Sequence, residues 1–461
     1  VGISTVSPSA LLDVDGGDAL IHGVSVGRGL GSVASNTVVG NTALDANTSG
    51  SNNTAIGQAA LTSNTEGNNN TAVGRNSAAA LTTGDGNTAL GSGSMNSQTT
   101  ADNNTAVGYD SLYFTTTGAN NSAFGKSALQ NNTTGNANTA VGKDALSSST
   151  TANNNVAVGS FSLDTNTTGD NNVAIGVEAL EKNTTANNNT AVGFQALEEN
   201  TTGTKNLAVG ALALDANTTG GSNAAVGYNV LGANTTGSYN VAMGDGALTS
   251  NTTADDNTAI GISALLVNTT GTQNVAIGNS TLDACTTGTR NVAVGTSALS
   301  SSTSSSYNTA IGYGALFANT GTQNAALGYA ALLNSTASDN VAVGNNALTN
   351  ATTGTQNVAV GSLALDANTT ANNNTAVGYD CLGANTTGAQ NTAVGREAGQ
   401  ENTTGYNNTF VGEKAGESNT TGYNNTAVGR FAFNSNATGV QCVAIGVEAL
   451  EKNTANNNTA V

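Results

Sequence analysis

A glycine returns every seventeen residues along almost the whole of this chain, and the residues around it keep their places. The anchors run Gly40, Gly57, Gly74, Gly91, Gly108 and onward to Gly312, then Gly328, Gly344 and six more to Gly446. Of the 24 intervals between these 25 glycines, 22 are 17 residues long and two are 16. The full unit reads G-x-x-A-L-x-x-N-T-T-G-x-x-N-T-A-V. A period of this length, held in strict register, specifies stacked repeats that each bury too little alone and form a core only with their neighbours.

Each column carries its own chemistry. A large apolar residue precedes the anchor, as at Val39, Ile56 and Val343, and small Ala usually precedes that. Four residues before the anchor stands Asn at 24 of 25 positions, including Asn36, Asn53, Asn70, Asn340 and Asn425; Cys442 is the exception. A second apolar pair follows the anchor, as at Ala43–Leu44. Glycine in every unit opposes helix. The pattern predicts two short strands per coil, one over N-T-A-V-G and one over x-A-L, with turns at the anchor glycine and at N-T-T-G. Alternation places Thr/Val and Val/Ile on one strand face and Ala on the other. Val39, Ile56, Val343, Leu44, Phe410 and Phe433 are the expected core. Gly40, Gly57, Gly74, Gly108, Gly312, Gly328, Gly344 and Gly446 are the expected structural turn glycines. The asparagine column is expected to form a side-chain amide ladder from coil to coil. The fold class is all-β, a parallel β-solenoid, and 25 coils at about 4.8 Å each predict a rod on the order of 120 Å long.

Composition narrows the function. Charged residues make up 9% of the chain, aromatics 4%, and there is no Trp and one Pro. Net charge is -18, from 11 basic and 29 acidic residues, which opposes binding to nucleic acid and to anionic membranes. No apolar run reaches the ~20 residues of a spanning helix, so no membrane insertion is expected. The single histidine, His22, reads as structural, and no metal site or cofactor is expected. No P-loop, nucleophile elbow or calcium-binding glycine repeat occurs, so enzyme activity is not expected. Asp102 and the pair Asp255–Asp256 read as solvated corners. Cys285, Cys381 and Cys442 lie four to six coils apart in different columns, too far to pair within one chain. Two apolar strand faces on a thin coil leave one without an interior to fill, which predicts a bundle of identical chains.

The segments N-T-A-V-G, N-V-A-V-G and N-V-A-I-G resemble the repeat of trimeric autotransporter adhesin heads. That resemblance implies a left-handed parallel β-roll and a parallel homotrimer, with two identical chains as partners. The opening stretch, Val1-Gly2-Ile3-Ser4 through Leu12-Asp13-Val14-Asp15-Gly16, resembles the segment preceding such repeats in long tail-fibre proteins of marine bacteriophages. Similar repeats occur in large algal-virus proteins. The expected function is a stiff spacer in a virion or extracellular fibre, with other fibre or virion proteins and a host receptor or glycan as partners. A bacterial trimeric adhesin head and an ice- or carbohydrate-binding solenoid are the alternatives.

Departures from the period mark boundaries. Residues 1–30 do not repeat and read as a β adaptor, with strands at Leu11–Val14 and Ala19–Val26; residues 31–461 are the repeat domain. Two shortened coils follow each other between residues 313 and 344. In the first, Asn319-Thr320-Gly321 lacks one Thr; in the second, the missing residue is expected ahead of Asn334. A repeat subtype spans 396–433, where Gly399 and Gly416 replace Leu and Phe410 replaces Ala, a size-compensating exchange. Val343→Asp is expected to loosen the stack more than Asn340→Ala.

Overall fold

The computed structural model describes residues 18–29, 31, 33–452 and 454–461. It is a parallel β-solenoid of about 25 coils with no helix among the described residues. Two compact units divide it, Val1–Asn223 and Ala224–Val461. The first unit opens with a hairpin of β1 (Ala19–Ile21) and β2 (Val24–Gly27), turning at His22 and Gly23. The stretch expected as a single strand over Ala19–Val26 is therefore two, and Leu11–Val14 lies outside the described residues. β2 pairs antiparallel with β3 (Thr37–Gly40), and from there to β13 (Leu207–Val209) every pairing is parallel and one coil in register, as Thr54↔Thr71 and Ala55↔Ala72. The second unit repeats this from β14 (Ala224–Val226) to β28 (Thr459–Ala460).

Only one of the two expected strands per coil forms. N-T-A-V becomes a three-residue strand, whereas x-A-L is a chain of turns. The reason is backbone conformation: the column leucines sit at φ of 50–54°, as in Leu44, Leu129 and Leu248, and the residue two positions earlier also has positive φ, as Thr42 at 53° and Ser127 at 56°. Alternating left-handed residues cannot make a strand, yet they still bond between coils, as Leu61 N–H to the Ser77 carbonyl at 3.0 Å. Bulky residues at positive φ are uncommon, and here the buried leucine side chain and these inter-coil bonds hold the conformation. The anchor glycines lie at φ of 118–156°. A Cβ at Gly108 would stand 2.3 Å from the Gly125 carbonyl oxygen, so close stacking as well as φ demands glycine.

Alanine and leucine fill the inside, together with two asparagine columns. Leu44, Phe410 and Phe433 are buried, in line with expectation. Val39 and Val343 are half-buried and Ile56 is exposed, so these three are not core within the chain. They flank the inward small residue of each strand, Val38, Ala55 or Ala342, and strand alternation turns them outward.

Phe410 stands in an alanine column in β25 (Thr409–Val411). A Cβ at Gly416 would come within 2.4 Å of its ring and one at Gly399 within 2.7 Å, so both glycines make room for it. The coil at Gly74 makes a similar exchange: Ala78 takes the leucine position and Leu81 fills the neighbouring asparagine position, both buried. Both shortened coils lose the same residue. Ser335 occupies the buried corner in place of asparagine and donates its N–H to the Leu332 carbonyl, while Asn334 is exposed. The missing residue is thus the exposed second threonine of the turn, not one ahead of Asn334.

Candidate interaction face

Three ladders of polar side chains fasten the coils, and their arrangement decides which surface is left over. The asparagine before each strand acts as a forward clip. Asn36 Oδ1 accepts the Asn53 backbone N–H at 2.9 Å, and Asn36 Nδ2 donates to the Gly50 carbonyl at 2.9 Å. Asn53, Asn340 and Asn425 repeat this on Gly67, Gly354 and Gly439, and Asn70 on Gly84. Most of these bonds therefore go to backbone, with amide-to-amide contacts at some rungs, as Asn357 Nδ2 to Asn340 Oδ1 at 3.2 Å. Cys442 keeps half the rung, donating its backbone N–H to Asn425 Oδ1.

The continuous side-chain amide chain lies instead in the first residue of N-T-T-G. Asn183 Nδ2 donates to Asn166 Oδ1 at 2.8 Å, Asn200 to Asn183 at 3.0 Å, and Asn217 to Asn200 at 2.9 Å. Where the following coil places Leu81, Ser149 or Cys285 in this column, the Oδ1 of Asn64, Asn132 or Asn268 is buried without a partner. A third ladder runs over the corner residues: Asp102 Oδ1 accepts the Asp85 N–H at 2.8 Å, and Asp255 Oδ1 accepts the Ser238 N–H at 2.6 Å. Both acids serve the backbone. The first threonine of most turns adds a hydroxyl bond to the next coil, as Thr65 Oγ1 to the Thr82 carbonyl at 3.2 Å.

The strand face has no such employment. Its outward positions hold Thr or Val first and Val or Ile last, and across the 25 strands in the repeat they include no charged residue. In the first unit Ile56, Phe124 and Ile175 are exposed there, and in the second Met243 reaches 48% and Leu327 47%. The residue after the anchor is apolar on some coils, as Val177, Phe194, Tyr228, Ile262 and Tyr313, and charged on others, as Arg75, Lys126, Asp245 and Glu413, so the uncharged face is that of the strand positions alone. Most of the exposed large apolar side chains fall in these columns. Within each unit, uncharged and partly exposed apolar strand positions of this kind mark an interaction surface.

Other clusters do not add a site. Glu178, Glu181 and Glu198 bring carboxylate oxygens within 4.8 Å of one another; burial first, then neighbouring acids, raises the carboxyls of Glu181 and Glu198, while Lys182 pairs with Glu199. In the 396–433 subtype Arg396 pairs with Glu397 and Glu413, and Lys414 with Glu397 and Glu417. The Arg396 hydrogen bond holds the Glu413 carboxyl below its usual range. The exposed Arg396–Glu413 pair contributes little to stability, whereas Lys414, Glu397 and Glu417 are half-buried. Cys285, Cys381 and Cys442 are free and buried, and burial pushes the first two thiols up to about 11 and about 12. No family model, curated protein or solved structure matches the chain.

Proposed function

We propose that this chain is a structural segment of a virion or extracellular fibre, assembled as a parallel homotrimer through its uncharged strand face and serving as a stiff spacer in attachment. The observation that carries the reading is that face: strand after strand turns Thr/Val and Val/Ile outward with no charge among them. A second copy fits it by period, because only a chain with the same 17-residue repeat can keep matching columns along many coils. The acidic residues lie in other columns, and a net charge of -18 keeps the remaining surface from associating. Repetition also supports a spacer, since nearly equivalent coils offer length and no single catalytic cleft.

Light scattering is expected to give about three times 45.1 kDa, roughly 135 kDa. Deleting residues 245–278, two full coils, is expected to shorten the particle by roughly 10 Å while attachment persists. A stable monomer at micromolar concentration rejects the trimer. Loss of attachment with fold and trimer intact rejects the spacer and moves recognition onto the deleted coils.

A further inference from the structure

We infer a binding groove for a neutral oligosaccharide in the first unit, built around Phe114. An open groove of about 600 Å³ runs across four coils here, within the size range of small-ligand sites. One wall is a single column, Ser97, Phe114, Asn131 and Ser148. The opposite wall is the threonine column two residues on, including Thr116, Thr133 and Thr150.

The column is otherwise small or polar through this stretch, with Ser63 and Ala80 before it and Thr165 after it. Phe114 alone breaks it with an aromatic ring, 45% exposed. The ring is braced edge-on by Tyr113, with centroids 4.7 Å apart at 73°, which restricts it before any ligand arrives. Its free surface is a flat apolar platform suited to the C–H face of a pyranose. Hydrogen-bonding groups of both kinds surround it. The side chains of Ser97, Asn131 and Ser148 have no hydrogen-bond partner among the described residues, so their donors are available. The threonine hydroxyls spend their protons on the next coil, Thr116 Oγ1 on the Thr133 carbonyl at 3.0 Å and Thr133 Oγ1 on the Thr150 carbonyl at 2.9 Å. Their oxygens are left as acceptors. No charged residue lines the groove. An aromatic face with fixed uncharged donors and acceptors matches a neutral sugar, and the acidic chain disfavours sialylated or sulfated ones.

This site stands independently of the fibre reading. The test is binding of the full chain to immobilised cello-, malto-, manno-, galacto- and N-acetylglucosamine oligosaccharides, with sialylated and sulfated glycans alongside. The wild-type chain is expected to retain at least one neutral oligosaccharide. Phe114→Ala, a change at an exposed position that leaves the melting temperature near wild type, is expected to weaken it about tenfold or more. Phe114→Tyr is expected to keep it, and Asn131→Ala to weaken it with the ring intact. No retention of any neutral oligosaccharide at millimolar concentration overturns the proposal. So does a preference for the charged glycans, or binding that Phe114→Ala leaves unchanged.

Discussion

Cys285 interrupts a column of asparagines and leaves the Asn268 Oδ1 buried and unbonded. An orphaned buried acceptor is destabilising by about 1–3 kcal/mol. Ser302 follows Cys285 in the column, so an asparagine at 285 would only move the orphan. Ser149, which orphans Asn132 Oδ1 and its own hydroxyl, is followed by Asn166. Ser149→Asn is expected to raise stability by about 1 kcal/mol, read as a shift in the urea midpoint at constant slope. The acids make a second residue-scale prediction. Burial is the main cause that raises the carboxyls of Asp164, Asp215 and Asp366 above their usual range. A carboxyl raised in the folded state binds its proton more readily there than when unfolded, so stability falls as pH rises through the folded value. Acidifying from pH 7 toward the raised values is therefore expected to increase the melting temperature. Replacing all three with Asn is expected to flatten that rise in a calorimetric pH series.

The coil itself shows how neighbouring columns trade volume. Phe410 occupies space that two leucines would fill elsewhere, and Gly399 and Gly416 keep the left-handed φ of 58° and 62° that the leucine column uses. Phe410→Ala is expected to be destabilising by about 3–5 kcal/mol through the cavity it leaves. Adding Gly399→Leu and Gly416→Leu restores the ordinary coil and is expected to recover most of that loss in denaturant melts. The period, the anchor glycines, the strand at N-T-A-V and this exchange were legible in the residues. The turn at x-A-L was not, because nothing about Leu44 or Leu129 announces positive φ; stacking imposes it. Nor could spacing tell which asparagine column bonds amide to amide. Asn183 and Asn189 are chemically identical, and only the coil's cross-section sets one against its own kind and the other mainly against backbone. The groove at Phe114 had a weak signal, one aromatic in a column of small residues, which the regularity of the repeat concealed.

Two substitutions separate the isolated chain from an assembled one. Asn340 makes buried bonds to Gly354 and to the Asn357 backbone, so Asn340→Ala orphans backbone groups and is expected to be destabilising by about 2–4 kcal/mol in either state. Val343 is only half-buried in the chain. If the strand face were open to water, Val343→Asp would be the milder change, by a simple solvation argument. In the proposed trimer it buries an unpaired carboxylate, and its loss is expected to exceed that of Asn340→Ala. Denaturant titration of both variants, with mass measured alongside, checks the ordering.

The asparagine clip points mainly forward. From Asn36 to Asn425 these side chains bond backbone 14 and 17 positions later, or 13 and 16 in the shortened coils, and some rungs, such as Asn357, add an amide donation back to the preceding one. A coil therefore needs only the coil before it as a template, and pairings span about 17 residues of 461. The corresponding relative contact order is about 0.04, below the ~0.07–0.12 of helical bundles. A sheet built this way escapes the slow search for distant strands that delays most β-proteins. It can grow behind the ribosome, from the amino end forward, in seventeen-residue steps. Proteolysis of stalled nascent chains is expected to show protection advancing in those steps, whereas protection arriving all at once near full length would contradict vectorial growth.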